Sequence, residues 1–428
     1  MCLEILEANG DMQSLLEVFA THIGGFGTSS ALPLEDVYHW KHITERWIPA
    51  ICHMMIQHVD LPYVQEEACR MFLNFCCHIP SGKQKRSTTT PAAVLQEGSP
   101  LLPSSSSADV SRSGSITTID GSSTSRSSSG SLTTNTAEEE SVVASSAAPT
   151  KNTSSADADT TNTNTAIHNT QRQDAIRTHR GIYGIVSGMT AHRYNPNVQF
   201  LSCWALRVIC HQNATNRDVV GQERGIQAIV GAVKDHIRNS LVVSEALMTL
   251  ATLCFENTQN KNAIRESDGI VTIVSCMTLP DHTDDASIQE MACLALYKCC
   301  FENPWNRTAI HDAGAIPPIV YAMKHLASNR NVQIQAMGAL MNLSHQNQTN
   351  KVASREAGAL EAIVTAMSNF PDTLLVQKHG CGALNNLIAD NAAKARMLEL
   401  RPERLLVSAG QNFPKECGTL ARAILNKL

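Results

Sequence analysis

The feature that most restricts what this chain can fold into is an apolar dipeptide that returns at nearly constant spacing. Ile185-Val186, Ile229-Val230, Ile273-Val274, Ile319-Val320, Ile363-Val364 and Leu406-Val407 follow one another at steps of 44, 44, 46, 44 and 43 residues. A unit of that length cannot bury an adequate core alone, so its copies must stack on one another. A period of this size belongs to helical solenoids.

A second pattern follows each dipeptide, anchored at Val198, Val242, Ile288, Val332 and Val376. Counting from the anchor, position +8 is Leu206, Leu250, Leu296, Leu340 and Leu384, and position +11 is Ile209, Leu253, Cys299, Leu343 and Leu387. Position +4 is always small: Ser202, Ala246, Ala292, Ala336 and Gly380. Apolar or small residues at 0, +4, +7, +8 and +11 share one face of an α-helix, and the small columns predict close approach of neighbouring helices. Ahead of each dipeptide stand Asn216, Asn260, Asn306 and Asn350. They are expected to cap a short first helix, because an asparagine side-chain oxygen accepts an orphan backbone N–H. Gly225, Gly269, Gly314 and Gly358 are expected to end that helix. Each unit therefore reads as short helix, turn, second helix, loop, third helix.

The sequence Asn-x-x-x-Ile/Val, an Ala-Gly-like turn, Ile-Val, and then VQxxxCxALxNL with a final asparagine resembles the armadillo repeat, from Ile176 to about Leu425. The resemblance implies an all-α fold, a right-handed superhelix (alpha solenoid) of about six three-helix repeats plus a degenerate C-terminal cap. One further copy occupies 47–80, anchored at Val64 with Ala68 at +4, Cys69 at +5, Phe72 at +8 and Asn74 at +10. Residues 1–46 are expected to form a helical N-terminal cap or partial repeat, and 170–428 the main array with its C-terminal capping helix.

Between these blocks, 83–169 turns to serine, threonine, alanine and asparagine and holds no Phe, Trp or Tyr. Such a stretch buries too little apolar surface to offset its ordering entropy, so a disordered insert is expected. Two arrangements are open. The helix of Val64 packs directly on the unit beginning near Arg172, or two separate blocks hang on a tether. Within the insert, Ser115 and Ser129 each lie three residues after an arginine (Arg112, Arg126), as in basophilic kinase sites. Lys83–Arg86 is a short basic run that would suit nuclear import.

Function is read from the groove that the resemblance implies. In armadillo proteins the third helices line a concave surface, and an asparagine there binds the backbone of an extended ligand. Position +10 matches that role and holds Asn74, Val208, Thr252, Lys298, Asn342 and Asn386. An amide offers both donor and acceptor, so Asn74, Asn342 and Asn386 could pair with any peptide unit. Importin-α-type receptors place a tryptophan at the position equivalent to +6. Here that column is Arg70, Trp204, Met248, Leu294, Gly338 and Gly382, so Trp204 stands alone and a cargo adaptor of that type is disfavoured. Lys298 is likewise isolated, unlike the basic ladder of a β-catenin-like binder of acidic peptides. Phe255-Glu256 and Phe301-Glu302 occupy equivalent places, so Glu256 and Glu302 could form an acidic edge beside two rings.

Signals for other functions are missing from the sequence. There is no HExxH, Walker A loop, dinucleotide fingerprint or G-x-S-x-G elbow, and Cys76-Cys77 and Cys299-Cys300 lack zinc spacing. No catalytic residue, metal, cofactor or small-molecule substrate is therefore expected. A net charge of -5 offers no global attraction to nucleic acid or anionic lipid. The N-terminus lacks a basic, then apolar, secretory pattern, and no apolar run approaches the roughly 18 residues of a membrane span. Most of the fourteen cysteines lie in apolar helical columns, which suits a reducing, cytoplasmic setting. The expected role is a non-catalytic scaffold for a protein or peptide partner. The repeat wording also resembles the armadillo segment of large leucine-rich-repeat kinases, so a regulatory arm of a kinase-containing complex is the alternative.

Overall fold

A computed structural model describes residues 43–77 and 157–428 of the chain. After a π-helical turn at Ile43–Trp47 come α1 (Ile48–Gln57) and α2 (Pro62–Cys77), and then α3 (Asp157–Thr178), α4 (Gly181–Ala191) and α5 (Pro196–Cys210). The next three units are α6 (Ala214–Gln222), α7 (Gly225–Asp235) and α8 (Ser240–Cys254); α9 (Thr258–Glu266), α10 (Gly269–Thr278) and α11 (Ala286–Cys300); and α12 (Pro304–Asp312), α13 (Ile316–His325) and α14 (Arg330–Ser344). The array closes with α15 (Gln348–Glu356), α16 (Ala359–Asn369) and α17 (Leu374–Leu387), then α18 (Asn391–Leu400), α19 (Glu403–Asn412) and α20 (Gly418–Lys427). The last, degenerate unit has all three helices. The readings at 1–42, Lys83–Arg86, Ser115 and Ser129 lie outside the described residues.

Third helices α2, α5, α8, α11, α14, α17 and α20 stack in that order, and second helices α1, α4, α7, α10, α13, α16 and α19 do the same. The anchor, +8 and +11 columns supply the core: Val198, Leu206 and Ile209, or Val332, Leu340 and Leu343, are fully buried. Each such side chain contributes about 1.5–3 kcal/mol relative to exposure. The small +4 column lets a third helix approach its own second helix. A Cβ added at Gly380 would meet Met367 Sδ at 2.5 Å.

The units before and after the insert pack directly. Helix α2 lies against α5, and α1 against α4. Cys69 Sγ and Ser202 Oγ are 3.7 Å apart, and His192 Nε2 lies 2.8 Å from the Val59 carbonyl. Asn195 Nδ2 donates to Glu66 at 3.3 Å, and the Arg172 guanidinium donates to the Phe75 carbonyl. Of the two arrangements open from sequence, this is the stacked one. One boundary moves, because α3 begins at Asp157, inside the 83–169 stretch read as insert.

Polar side chains then tie the helix ends together, and here two details differ from expectation. The N-caps of the first helices are Asn213, Asn257, Asn303 and Asn347, each accepting from the backbone N–H three residues on. Asn216, Asn260, Asn306 and Asn350 supply those N–H groups, and their own amides have another use. They are buried, and each Nδ2 bridges two carbonyls: Ile209 and Gln173, Leu253 and Arg217, Cys299 and Lys261, or Leu343 and Arg307. One carbonyl lies in the last turn of the unit's third helix, where intrahelical partners run out. The other belongs to the neighbouring first helix.

The second detail is the turn after the first helix. Gly314 and Gly358 take the left-handed conformation there, with φ of 75° and 83°. In the preceding units the left-handed residues are Arg224 and Asp268, both at φ 61°, one residue before the glycines expected to do this. Gly225 and Gly269 instead begin the second helix, where a Cβ would meet Val220 Cγ1 at 2.5 Å and the Ile264 carbonyl at 2.7 Å. Close approach, not φ, is what requires glycine at those two positions.

Candidate groove of the third helices

A repeated glutamine sets the angle of each third helix. Gln65, Gln199, Gln289, Gln333 and Gln377, one residue after the anchor, are all buried. Each Nε2 reaches two carbonyls at the end of the preceding second helix. For Gln333 these are Met323 at 3.1 Å and Leu326 at 3.0 Å, and for Gln377 they are Met367 at 2.8 Å and Phe370 at 2.9 Å. The second helix thus loses two orphan acceptors and the third helix gains a fixed start. The anchor pattern contained this signal as a recurring Val-Gln or Ile-Gln, with Val243 as the exception.

With the third helices held in register, position +10 forms a column across the stack. Asn74 is exposed, and Val208, Thr252, Lys298 and Asn386 are half-buried. Asn342 is only 7% exposed, unlike the open position expected for a ligand-binding amide. Its Nδ2 donates to the Tyr297 carbonyl at 3.1 Å, and Asn386 Nδ2 donates to the Met341 carbonyl at 3.0 Å. Both acceptors lie at +9 in the final turn of the preceding third helix. The asparagines therefore satisfy orphan carbonyls of the neighbouring repeat, which leaves each amide oxygen and a second N–H for other partners. The column continues further than the sequence pattern showed. Lys427 Nζ donates to the Asn385 carbonyl, again a +9 group, at 2.7 Å and to Asn385 Oδ1 at 2.8 Å. It was missed because α20 has no Val-Gln anchor from which to count.

At +6, Trp204 packs on Phe200 with ring centroids 5.8 Å apart, one helical turn away. Further along, Gly338 gives room for a contact that spans repeats. Tyr297 and His379 meet edge-on at 5.5 Å, and His379 Nδ1 lies 3.0 Å from the Ile334 carbonyl. A Cβ on Gly338 would come within 3.2 Å of His379 and 3.3 Å of Tyr297.

The Phe-Glu pairs occupy the turn between the third helix and the next first helix. Glu256 and Glu302 are exposed, with φ of 46° and 51°. Their aromatic neighbours are engaged by cations of the chain itself: Arg217 and Lys298 flank Phe255 at 5.2 and 5.6 Å, and Lys261 sits 5.3 Å from Phe301. Lys298 also lies over Tyr297 at 5.0 Å. Trp305, just beyond Glu302, is 76% exposed and was not singled out from sequence, because nothing equivalent repeats in other units.

The cysteines have the chemistry of core residues. All twelve of those described are free and buried, and burial pushes Cys69 and Cys293 up to about 12 and Cys203 well above its ordinary value. Cys381 and Cys417 share a hydrogen bond that raises the first thiol, together with burial, and lowers the second. Among the described residues no group of histidine, cysteine or acidic side chains could hold a metal ion, and no helix is long and apolar enough to cross a membrane.

Stacked three-helix units with a lined third-helix face define a class, the α-helical repeat solenoids. A family model described as the LRRK2 ARM repeat matches residues 175–361. The solved structures that resemble the chain include a designed armadillo repeat protein, YIII(Dq)4CqI, with 18% identity and a TM-score of 0.51, covering 58% of this chain and 99% of that one. An engineered protein with 21% identity and a TM-score of 0.51 covers 57% of this chain and 97% of its own. No curated protein matches the chain. The chain has an armadillo-like repeat fold.

Proposed function

We propose that the chain is a non-catalytic interaction scaffold that holds an extended segment of a partner protein along the third-helix column. The observation that carries this reading is the +10 column itself. Its side chains stay half-exposed or keep hydrogen-bonding capacity, while the +8 and +11 columns on either side are sealed in the core. Rigid repeats present such a surface with little ordering cost on binding. A photocrosslinking residue placed at Thr252 or Asn386 of the full chain tests it, with the exposed Val271 of α10 as the control. Crosslinks to a partner at the first two positions and not at Val271 are expected. Crosslinks confined to Val271 would sink the proposal.

The match to the LRRK2 ARM repeat over 175–361 favours one further reading, a regulatory arm within a kinase-containing complex. It differs from the first in predicting that the crosslinked partner carries a kinase domain.

A further inference from the structure

One position of the first helices carries a cation in successive units: Arg217, Lys261, Arg307, Lys351 and Lys394, at steps of 44, 46, 44 and 43 residues. The early members are committed within the molecule. Arg217 donates to the Cys210 carbonyl at 3.3 Å, and Lys261 gives its ammonium to the Phe301 carbonyl at 2.8 Å. The later members are not. Lys351 and Lys394 are half-buried, and neither ammonium has a hydrogen bond or ion pair among the described residues.

Two more basic side chains join them. His345 ends α14 three residues after Asn342, and burial, Arg307 and Lys351 all hold its imidazole below the ordinary value. Lys427 ends the +10 column, and burial, Lys351 and Lys394 hold its ammonium down. Lys351 thus lies within electrostatic reach of both. The acid nearest Lys394 in sequence, Asp390, is tied to Arg355. The chain as a whole is acidic, so this row is a local arrangement against the overall charge. Helix C-termini nearby welcome some positive charge. However, Lys261 and Lys427 show what that use looks like, a direct bond to a carbonyl, and Lys351 and Lys394 lack one.

We propose that Arg307, Lys351, Lys394 and Lys427, with His345 beside them, form a cationic row that binds an acidic, Asp/Glu-rich extended segment of a partner along the C-terminal half of the groove. Carboxylates of the segment bind the uncommitted ammoniums, while its backbone follows Asn342, Asn386 and Lys427. The proposal rests on the groove reading above and names the chemistry of its ligand.

Fluorescence anisotropy of the full chain tests it with three labelled ten-residue peptides, alternating Glu/Thr, Lys/Thr and Gln/Thr. The acidic peptide is expected to bind best and to weaken as salt rises. Lys351→Gln/Lys394→Gln should weaken it by about tenfold, while Arg238→Gln, in the loop after α7, should leave it unchanged. Circular dichroism of each variant shows that folding is intact. Acidic binding untouched by the double substitution, or equally lost in Arg238→Gln, overturns the cationic row. Tighter binding of the Lys/Thr or Gln/Thr peptide overturns it too, while leaving the groove reading in place. Absence of binding by all three peptides, with no crosslink at Thr252 or Asn386, overturns both.

Discussion

The Arg172 guanidinium donates a hydrogen bond to the carbonyl of Phe75, a residue 97 positions earlier and on the far side of the insert. Arg172 occupies the place that Asn216, Asn260, Asn306 and Asn350 hold in later units, and Phe75 is the +11 residue whose equivalents those asparagines bind. A longer side chain thus makes the bond that an amide makes elsewhere. Arg172→Ala strands a buried acceptor and is expected to cost about 2 kcal/mol in urea unfolding. Arg172→Asn, which restores the ladder residue, should recover more than half of that. If the two variants are equally destabilised, this seam is not an ordinary repeat junction.

The same seam predicts the fate of a cut chain. Cys52 against Ile176, Cys69 against Ser202 and Glu66 against Asn195 bring the α1–α2 block and the α3–α5 unit into one core. Cleavage at a protease site engineered near Gly121 should leave two fragments that co-elute on gel filtration without denaturant. Separation of the fragments would show that the stack depends on the covalent link.

Asn257 and Asn260 separate capping from the bridging of buried carbonyls, although Asn257 Nδ2 also reaches the preceding repeat, donating to Asp218 at 2.7 Å. Asn257 Oδ1 accepts one backbone N–H at 2.9 Å, whereas Asn260 Nδ2 bridges Leu253 and Arg217 at 3.0 and 2.9 Å inside the core. Asn257→Ala should cost about 1 kcal/mol, the usual loss for an N-cap. Asn260→Ala leaves two buried carbonyls short of a donor and should cost about 2–3 kcal/mol. Thermal unfolding of the two variants checks the order, and a larger loss at Asn257 would return the capping role to the more buried residue.

Much of the architecture was legible because its cause is periodic. Buried columns such as Leu206, Leu250 and Leu296 repeat at every unit, and no other fold class places apolar residues that way. The polar devices repeat just as regularly, but their roles do not follow from spacing. Asn213 and Asn216 share the same 44-residue step to Asn257 and Asn260, so sequence alone does not say which accepts and which donates. The start of α3 was hidden for a different reason. Its first turns are rich in threonine and asparagine, weak helix formers that read as insert. At the site, spacing places the +10 column as far as Asn386. The burial of Asn342 and the place of Lys427 depend on the +9 carbonyls of neighbouring repeats, which no pattern of side chains records.

The turn after the first helix offers a test of how conformation and crowding trade. Asp268 is left-handed without being glycine, and Gly269 follows where a Cβ would press on the Ile264 carbonyl. Later units reverse the pair, with left-handed Gly314 and Gly358 followed by Ala315 and Ala359. Gly269→Ala alone should destabilise by about 2 kcal/mol through overpacking. Asp268→Gly alone should be neutral or stabilise by up to about 1 kcal/mol, since glycine enters that region without a Cβ penalty. Made together, they recreate the later turn and should cost clearly less than Gly269→Ala by itself. Strict additivity in a double-mutant cycle would show that the two positions are independent.

His345 should give the stack a pH dependence with a defined sign. Burial, Arg307 and Lys351 hold its folded imidazole below the ordinary 6.5, so in the native state it stays neutral longer as pH falls. The unfolded chain then takes up the proton first, and stability drops as pH falls through about 6.5 and levels off below the folded value. His345→Asn should remove this component, giving a flatter stability profile between pH 7 and 5 than the parent chain. Lys351→Gln should do so in part, by lifting one of the repulsions that depress the imidazole. Urea unfolding of the three proteins across that range checks it, and identical slopes would mean that His345 does not titrate between the two states.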